Sequence, residues 1–231
     1  MKKLVFLMLI LILTGLMCAV SYAAWTSEDI GTTDKGTTVE SGSNITITAG
    51  GADVWDVTDG FRFVYQKVSG DFEIIAKLVS LQNTNSWAKA GVMVRGSNTP
   101  VSWFAWSFVT VVNGTTFQWR LVDKERCWPD GAGLAGAAPY FVKTVRKGSI
   151  FSGYRSLDGV KWENNNSVAQ PNNVEIKNIK DPILVGLAHT SHAAGTLGKS
   201  EFTNVTLTIA GTSAVSTKGK IALTWGVLKS Y

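Results

Sequence analysis

The sequence predicts an all-β protein built as a two-sheet antiparallel sandwich. From Ile45 onward, apolar residues alternate with polar ones or form short β-branched and aromatic runs, which is how half-buried strands read. Gly-containing turn pairs recur between these runs. No segment after the first 23 residues keeps a helical period. Many short strands in one domain-sized chain imply a sandwich or barrel.

Taken in order, residues 1–23 come first. Met1-Lys2-Lys3 is a positive start, Leu4 to Leu13 is an unbroken apolar run, and Ser21-Tyr22-Ala23 supplies small residues before a cleavage point. This is the pattern of a secretory signal peptide. An uncleaved anchor is the second reading, since the apolar stretch is near the lower limit for spanning a bilayer. A lipid attachment at Cys18 ranks third, because Gly15-Leu16-Met17 is a poor lipobox. Cleavage after Ala23 removes Lys2, Lys3 and Cys18, so the net charge falls from +5 to +3 and Cys127 is left as a lone thiol. The expected location is secreted, extracellular or periplasmic, with no membrane contact after cleavage.

The body, residues 24–210, reads as one domain. Strand-like segments are Ile45–Thr48, Phe61–Tyr65, Phe72–Leu78, Phe117–Leu121 and Phe202–Ile209. Between them stand Asp59-Gly60, Ser69-Gly70, Asn113-Gly114, Lys147-Gly148 and Asp158-Gly159. Asn-Gly and Asp-Gly favour two-residue hairpins because both centres tolerate φ > 0. Residues 211–231 form a tail: a Ser/Thr/Gly/Lys-rich linker, then the strand-like Ile221–Leu228.

Composition narrows the classes. Of the 231 residues 45% are hydrophobic and 17% charged, too apolar for a disordered chain. Two cysteines exclude a disulfide scaffold. A charge of +5 is mild for a nucleic-acid binder. The sandwich must rest on its own core, and Cys127, with no nearby His, is expected to be inert.

Several motifs carry a family resemblance. The strongest is Leu81-Gln82-Asn83-Thr84-Asn85-Ser86-Trp87-Ala88-Lys89-Ala90-Gly91-Val92-Met93-Val94-Arg95. Before it come Gly51-Ala52-Asp53-Val54-Trp55 and Ser69-Gly70-Asp71-Phe72-Glu73-Ile74. After it come Ser156-Leu157-Asp158-Gly159-Val160-Lys161-Trp162, Val185 to His192, and Phe202-Thr203-Asn204-Val205. From about Asp29 to Thr208 the chain resembles the concanavalin A-like jelly-roll domains of largely unknown function in secreted bacterial proteins. The domain appended to some β-xylosidases belongs to the same group. The resemblance implies two antiparallel sheets face to face, one of them concave, the surface on which lectins and glucanases of this fold bind sugars. His189 departs from the pattern, which usually has an apolar residue there.

Alternation sorts side chains by face. Phe117, Trp119 and Leu121 share one face, with Gln118 and Arg120 on the other. Ala88, Ala90, Val92 and Val94 oppose Lys89, Gly91, Met93 and Arg95. With the apolar faces in the core, Lys89, Arg95, Gln118 and Arg120 are expected to line the outer sheet surface. Guanidinium and amide donors walled by indoles suit a polyhydroxylated ligand. Phe104, Trp106 and Phe108 read as core, which leaves Trp103 on the other face.

The nine tryptophans divide accordingly. Trp106, Trp119 and Trp162 are assigned to core packing, Trp55 and Trp87 to loop anchoring, and Trp25 and Trp225 to the chain ends. Trp103 and Trp128 remain as ligand platforms.

Asp53, Asp56 and Asp59 fall in a Gly/Asp-rich loop and are the candidate ligands of a structural Ca²⁺; otherwise no cofactor is expected. Isolated turn aspartates more often cap their own backbone. His189 and His192 complete no zinc set and read as structural or surface residues. A glycosidase needs two carboxylates about 5–10 Å apart. Only Asp71-Phe72-Glu73 and Asp123-Lys124-Glu125 place acids two apart near strands, and strand-end charges explain both better. No Gly-x-Ser-x-Gly elbow or phosphate-cradling loop appears. Catalysis is not expected. The sequence points to an exported, monomeric, non-catalytic module that binds glycan or polysaccharide. A glycoside hydrolase or its accessory subunit, and a structural cell-surface adhesion module, remain as alternatives.

Overall fold

The computed structural model describes residues 24–32, 34–166 and 170–211. The leader with Cys18, and the strand-like tail with Trp225, lie outside the described residues. In chain order the strands are β1 (Thr26–Ile30), β2 (Thr37–Ser41), β3 (Asn44–Ala49), β4 (Val54–Trp55), β5 (Thr58–Asp59), β6 (Phe61–Val68), β7 (Phe72–Leu81) and β8 (Lys89–Arg95). Then follow β9 (Phe104–Thr110), β10 (Thr115–Arg120), β11 (Tyr140–Lys147), β12 (Ile150–Ser156), β13 (Glu163–Asn164), β14 (Asn173–Glu175), β15 (Ile183–Thr190) and β16 (Gly198–Ile209).

They form an antiparallel jelly-roll sandwich. One sheet has six strands in the order β1-β6-β15-β8-β9-β10. The other runs β13-β12-β11-β7-β16-β3-β2, with β14 beside β12. β4 and β5 pair as a separate small hairpin. All five strand-like segments of the sequence fall on strands; Asn113-Gly114 lies between the paired strands β9 and β10 and Gly148 between the paired β11 and β12, as hairpin chemistry favours, while Ser69-Gly70 joins β6 to β7 in the other sheet. Asp59-Gly60 differs: Asp59 closes β5, and its side chain is committed elsewhere, as described below.

The interior lies between the sheets. Ile45, Ile47, Ile74, Leu78, Val142 and Phe151 from one sheet meet Val64, Val92, Val94, Phe117, Trp119 and Leu187 from the other. Each such side chain, fully buried, contributes on the order of 1.5–3 kcal/mol. Cross-sheet fit is close: the Phe117 ring occupies the space a side chain at Gly153 would need. His189 points into this interior, fully buried, its Nδ1 2.8 Å from Ser200 Oγ. Trp25 packs against the edge of the same core.

A second apolar layer covers the opposite face of the six-stranded sheet. Ile30, Phe61, Phe63, Tyr65, Met93, Phe104, Trp106 and Phe108 lie there, packed with Val54 and Cys127 from outside the sheet. Phe104, Trp106 and Phe108 are therefore buried, but on the side away from the sandwich interior. Trp162 is not core: it is half-buried on the other sheet, with the Lys143 ammonium 4.2 Å from its ring centroid.

Candidate functional site

Register decides what shares the outer face of the six-stranded sheet. Arg95 pairs with Phe104, and Phe104 with Arg120; Met93 pairs with Trp106, and Trp106 with Gln118. Gly91 pairs with Phe108, and Lys89 with Thr110. Directly opposite residues point to the same side of a sheet. The face therefore carries Arg95 and Arg120 at one end, an aromatic stripe with Gln118 beside it through the middle, and Lys89 at the other end. Gly91 is required here, since a Cβ would collide with the backbone at Ser107 and Phe108.

At the first end stands a sealed ion cluster. Asp59 Oδ2 accepts from Arg95 Nη1 at 2.7 Å and from Arg120 Nη1 at 2.8 Å, while Oδ1 accepts from Arg120 Nη2 at 2.8 Å. All three side chains are fully buried. Further donors go to carbonyls: Arg95 to Ser97 and Thr99, and Arg120 to Asp56, Ser102 and Glu125. Phe61 and Phe104 flank Arg95. Burial lowers the Arg95 pKa, and Asp59 opposes that shift. All five N–H donors of Arg120 and three of the five of Arg95 are bonded, which is what offsets the cost of burying the charges. It pins the β4–β5 hairpin and the loops after β8 and β10 to the sheet.

Arg95 and Arg120 are thus absent from the outer surface where the sequence placed them. Parity gave their face correctly, but the hairpin covers that face.

At the other end the covering opens into a cleft of about 290 Å³. Its walls are Asp53, Trp55, Trp87, His192 and Gly131; Lys89, Phe108 and Gln118 form the floor. Asp53 joins the charged groups: Lys89 Nζ is 2.6 Å from its Oδ1, and His192 Nε2 is 3.1 Å from its Oδ2. Burial raises the Asp53 pKa, but the His192 hydrogen bond and the Lys89 charge outweigh it, so the carboxyl sits below its usual value. Lys89 also donates to Val54 O at 3.2 Å and lies within 6.0 Å of the ring centroids of Trp55, Trp87 and Phe108. An ammonium among ring faces is favoured by the ring quadrupoles. Gln118 is 3% exposed, and its Oε1 has no hydrogen-bond partner among the described residues. A buried amide oxygen left unpaired costs on the order of 1–3 kcal/mol.

Of the residues singled out from sequence, Lys89, Gln118 and Asp53 line the cleft. Trp103 does not: it is a neighbour of Phe151 at 5.9 Å between ring centroids, at the edge of the sandwich interior. Its parity is opposite to that of Phe104, and Phe104 faces outward. Trp128 is half-exposed and does not line the cleft: its backbone pairs with Trp119, and its ring is separated from the cleft wall residue Trp55 by the Arg126 guanidinium, which lies 5.6 Å from the Trp128 ring centroid and 5.7 Å from that of Trp55. Asp53, Asp56 and Asp59 do not converge: Asp53 serves Lys89 and His192, Asp59 serves the two arginines, and Asp56 is exposed. Among the described residues no group of three or more His, Cys, Asp or Glu side chains is placed to hold a metal. The two acid pairs lie elsewhere. Asp71 accepts from the Gly148 N–H, Glu73 pairs with Lys143, and Asp123 accepts from the Trp103 N–H.

Sequence reasoning missed Trp55, Trp87, Phe108, Gly131 and His192. Trp55 lies two residues from Asp53, and Trp87 two from Lys89, a proximity that pointed to them. His192 gave no such signal: it follows β15 with φ 52°, so strand parity does not govern its direction.

No family model matches the sequence, and no curated protein does. Solved structures do. A functionally unknown protein from Saccharomyces cerevisiae superposes with a TM-score of 0.62 at 15% identity, over 80% of this chain and 96% of that one. Xylan beta-1,4-xylosidase from Bacillus halodurans C-125 superposes with a TM-score of 0.51 at 12% identity, over 74% of this chain. A legume lectin-like domain from Entamoeba histolytica gives 0.48 at 9% identity, over 81% of this chain and 91% of that one. The shared feature is the sandwich fold. The match spans 38% of the xylosidase chain.

Proposed function

We propose that this chain is an exported, non-catalytic carbohydrate-binding module of the concanavalin A-like jelly-roll group, and that its ligand occupies the cleft on the outer face of the six-stranded sheet. The observation that carries this reading is a cleft flanked by two indoles whose floor includes Gln118, a residue with a buried Oε1 that has no hydrogen-bond partner among the described residues. Sugar hydroxyls donate to such an oxygen, and sugar C–H faces pack on aromatic rings. Lectin-like neighbours of similar fold are in keeping with it, and the leader sequence supports export.

The non-catalytic part rests on Asp53 being the one carboxylate lining the cleft among the described residues. Asp53 is bound to Lys89 and His192 with its pKa lowered, whereas glycosidic cleavage by paired carboxylates needs a second acid with a raised pKa. The test is a glycan array probed with the wild-type protein and with Trp87→Ala. Binding by the wild type that Trp87→Ala loses, with its melting transition retained, is the expected result. An array without hits rejects the reading.

A further inference from the structure

We infer that the cleft selects a short, uncharged glycan or a chain end, and not the interior of a polymer or an acidic sugar; this rests on the glycan reading above. Size is the first reason. About 290 Å³ lies at the lower limit of the roughly 300–1,000 Å³ of small-molecule sites. The β4–β5 hairpin, the residues before β8, the turn after β15 and the loop bearing Gly131 all rise around it. A polymer lying across the sheet would meet these walls.

Polar chemistry is the second reason. Lys89 and Gln118 stand at opposite poles. Register separates them by two strands and four residues, on the order of 16 Å between Cα atoms from ~4.8 Å per strand and ~3.3 Å per residue. Phe108 lies between them. The Lys89 ammonium has three N–H donors, and Asp53 and Val54 take two. The third N–H puts a donor at one pole, and the Gln118 amide, with its Oε1 unpaired, lies at the other. Hydroxyl groups satisfy both, because each donates and accepts. A ligand with hydroxyls at both ends and an apolar flank over Phe108 fits this arrangement.

Charge is the third reason. The Lys89 charge is already matched by Asp53 at 2.6 Å. A uronate would have to compete with that carboxylate at short range, and a second anion beside it would be repelled. A neutral sugar disturbs nothing.

The experiment uses disaccharides and hexasaccharides of the xylose, glucose, mannose and galactose series, with galacturonate oligomers of the same lengths, titrated calorimetrically against the mature protein. Neutral sugars are expected to bind, with each hexasaccharide within about threefold of its disaccharide, under 1 kcal/mol. Gln118→Leu is expected to weaken binding about tenfold or more while the melting transition is retained. A hexasaccharide more than about tenfold tighter than its disaccharide, or binding of galacturonates alone, overturns this inference and leaves the glycan reading standing. Binding unchanged in Gln118→Leu overturns the placement in the cleft. If no sugar in the panel binds, both readings fall.

Discussion

Asp59 grips Arg120 with both carboxylate oxygens, each at 2.8 Å from a guanidinium nitrogen. The same carboxylate also holds Arg95 at 2.7 Å. One anion thus sits between two cations out of contact with solvent, and the backbone carbonyls of three loops accept from further donors. Asp59 closes the hairpin that carries Trp55 and follows Asp53, so this sealed cluster holds one wall of the cleft in place.

Replacing Asp59 by Asn removes the counter-charge of two buried guanidinium groups. Removing one partner of a buried ion pair typically costs about 3–5 kcal/mol. Urea unfolding of Asp59→Asn should show a loss in that range with the slope of the transition unchanged. A loss below about 1 kcal/mol, as for an exposed pair, would refute the structural role.

Gln118→Leu should have the opposite effect on stability. It removes a buried amide oxygen without a partner and fills the same space with apolar atoms. Stability is expected to rise by on the order of 1 kcal/mol, read as a higher melting temperature, while ligand binding weakens. A marked fall in melting temperature would mean that Gln118 is a structural residue.

His189 gives stability a defined pH dependence. Burial lowers its pKa from 6.5 to about 4. Between those values the unfolded chain binds a proton that the folded chain does not, so stability falls as pH drops from 6.5 to 4. The full loss is on the order of 3 kcal/mol at 1.36 kcal/mol per pKa unit. Asp53 and Asp181, whose pKa values are held below 3.8, withdraw their contributions only below that value. Urea midpoints measured across pH 4–6.5 should therefore slope in the wild type, and the slope should flatten in His189→Leu. Parallel slopes in the two proteins would assign the effect elsewhere.

Cys127 should be chemically silent in the native protein. It is fully buried, and burial pushes its thiol pKa up to about 12. Thiolate is the reactive form. Alkylation with iodoacetamide at pH 8, mapped at Cys127 by mass spectrometry, should appear in denaturant and not in buffer. Rapid native labelling would show that the loop over the second apolar layer opens.

Local alternation was enough to find β3, β6, β7, β10 and β16. Ile45–Thr48 and Phe202–Ile209 read as extended from their residues, and both are extended. It also separated Ala90, Val92 and Val94 from Lys89, Met93 and Arg95, because side chains in one strand must alternate. Alternation is blind across strands. Nothing within Phe104-Ala105-Trp106 says whether Trp106 joins Val92 or Met93; the antiparallel register does, and it put the aromatic stripe beside Gln118 and sent Trp103 to the other side. A face can also be covered by a second layer, which is how two arginines read as a binding surface became the anchor beneath a hairpin.

Periodicity over a few residues by itself determined an all-β chain and the two-sided character of the strands it revealed, and the motif resemblance pointed to a sandwich. Only the tertiary structure decided where the outer face stays open. Asp53 and Lys89 are 36 positions apart, and His192 lies 139 beyond Asp53. Their meeting depends on register and on loops crossing the sheet. Those long-range contacts carry no local pattern, and they separate a sealed charge cluster from a cleft that can receive a ligand.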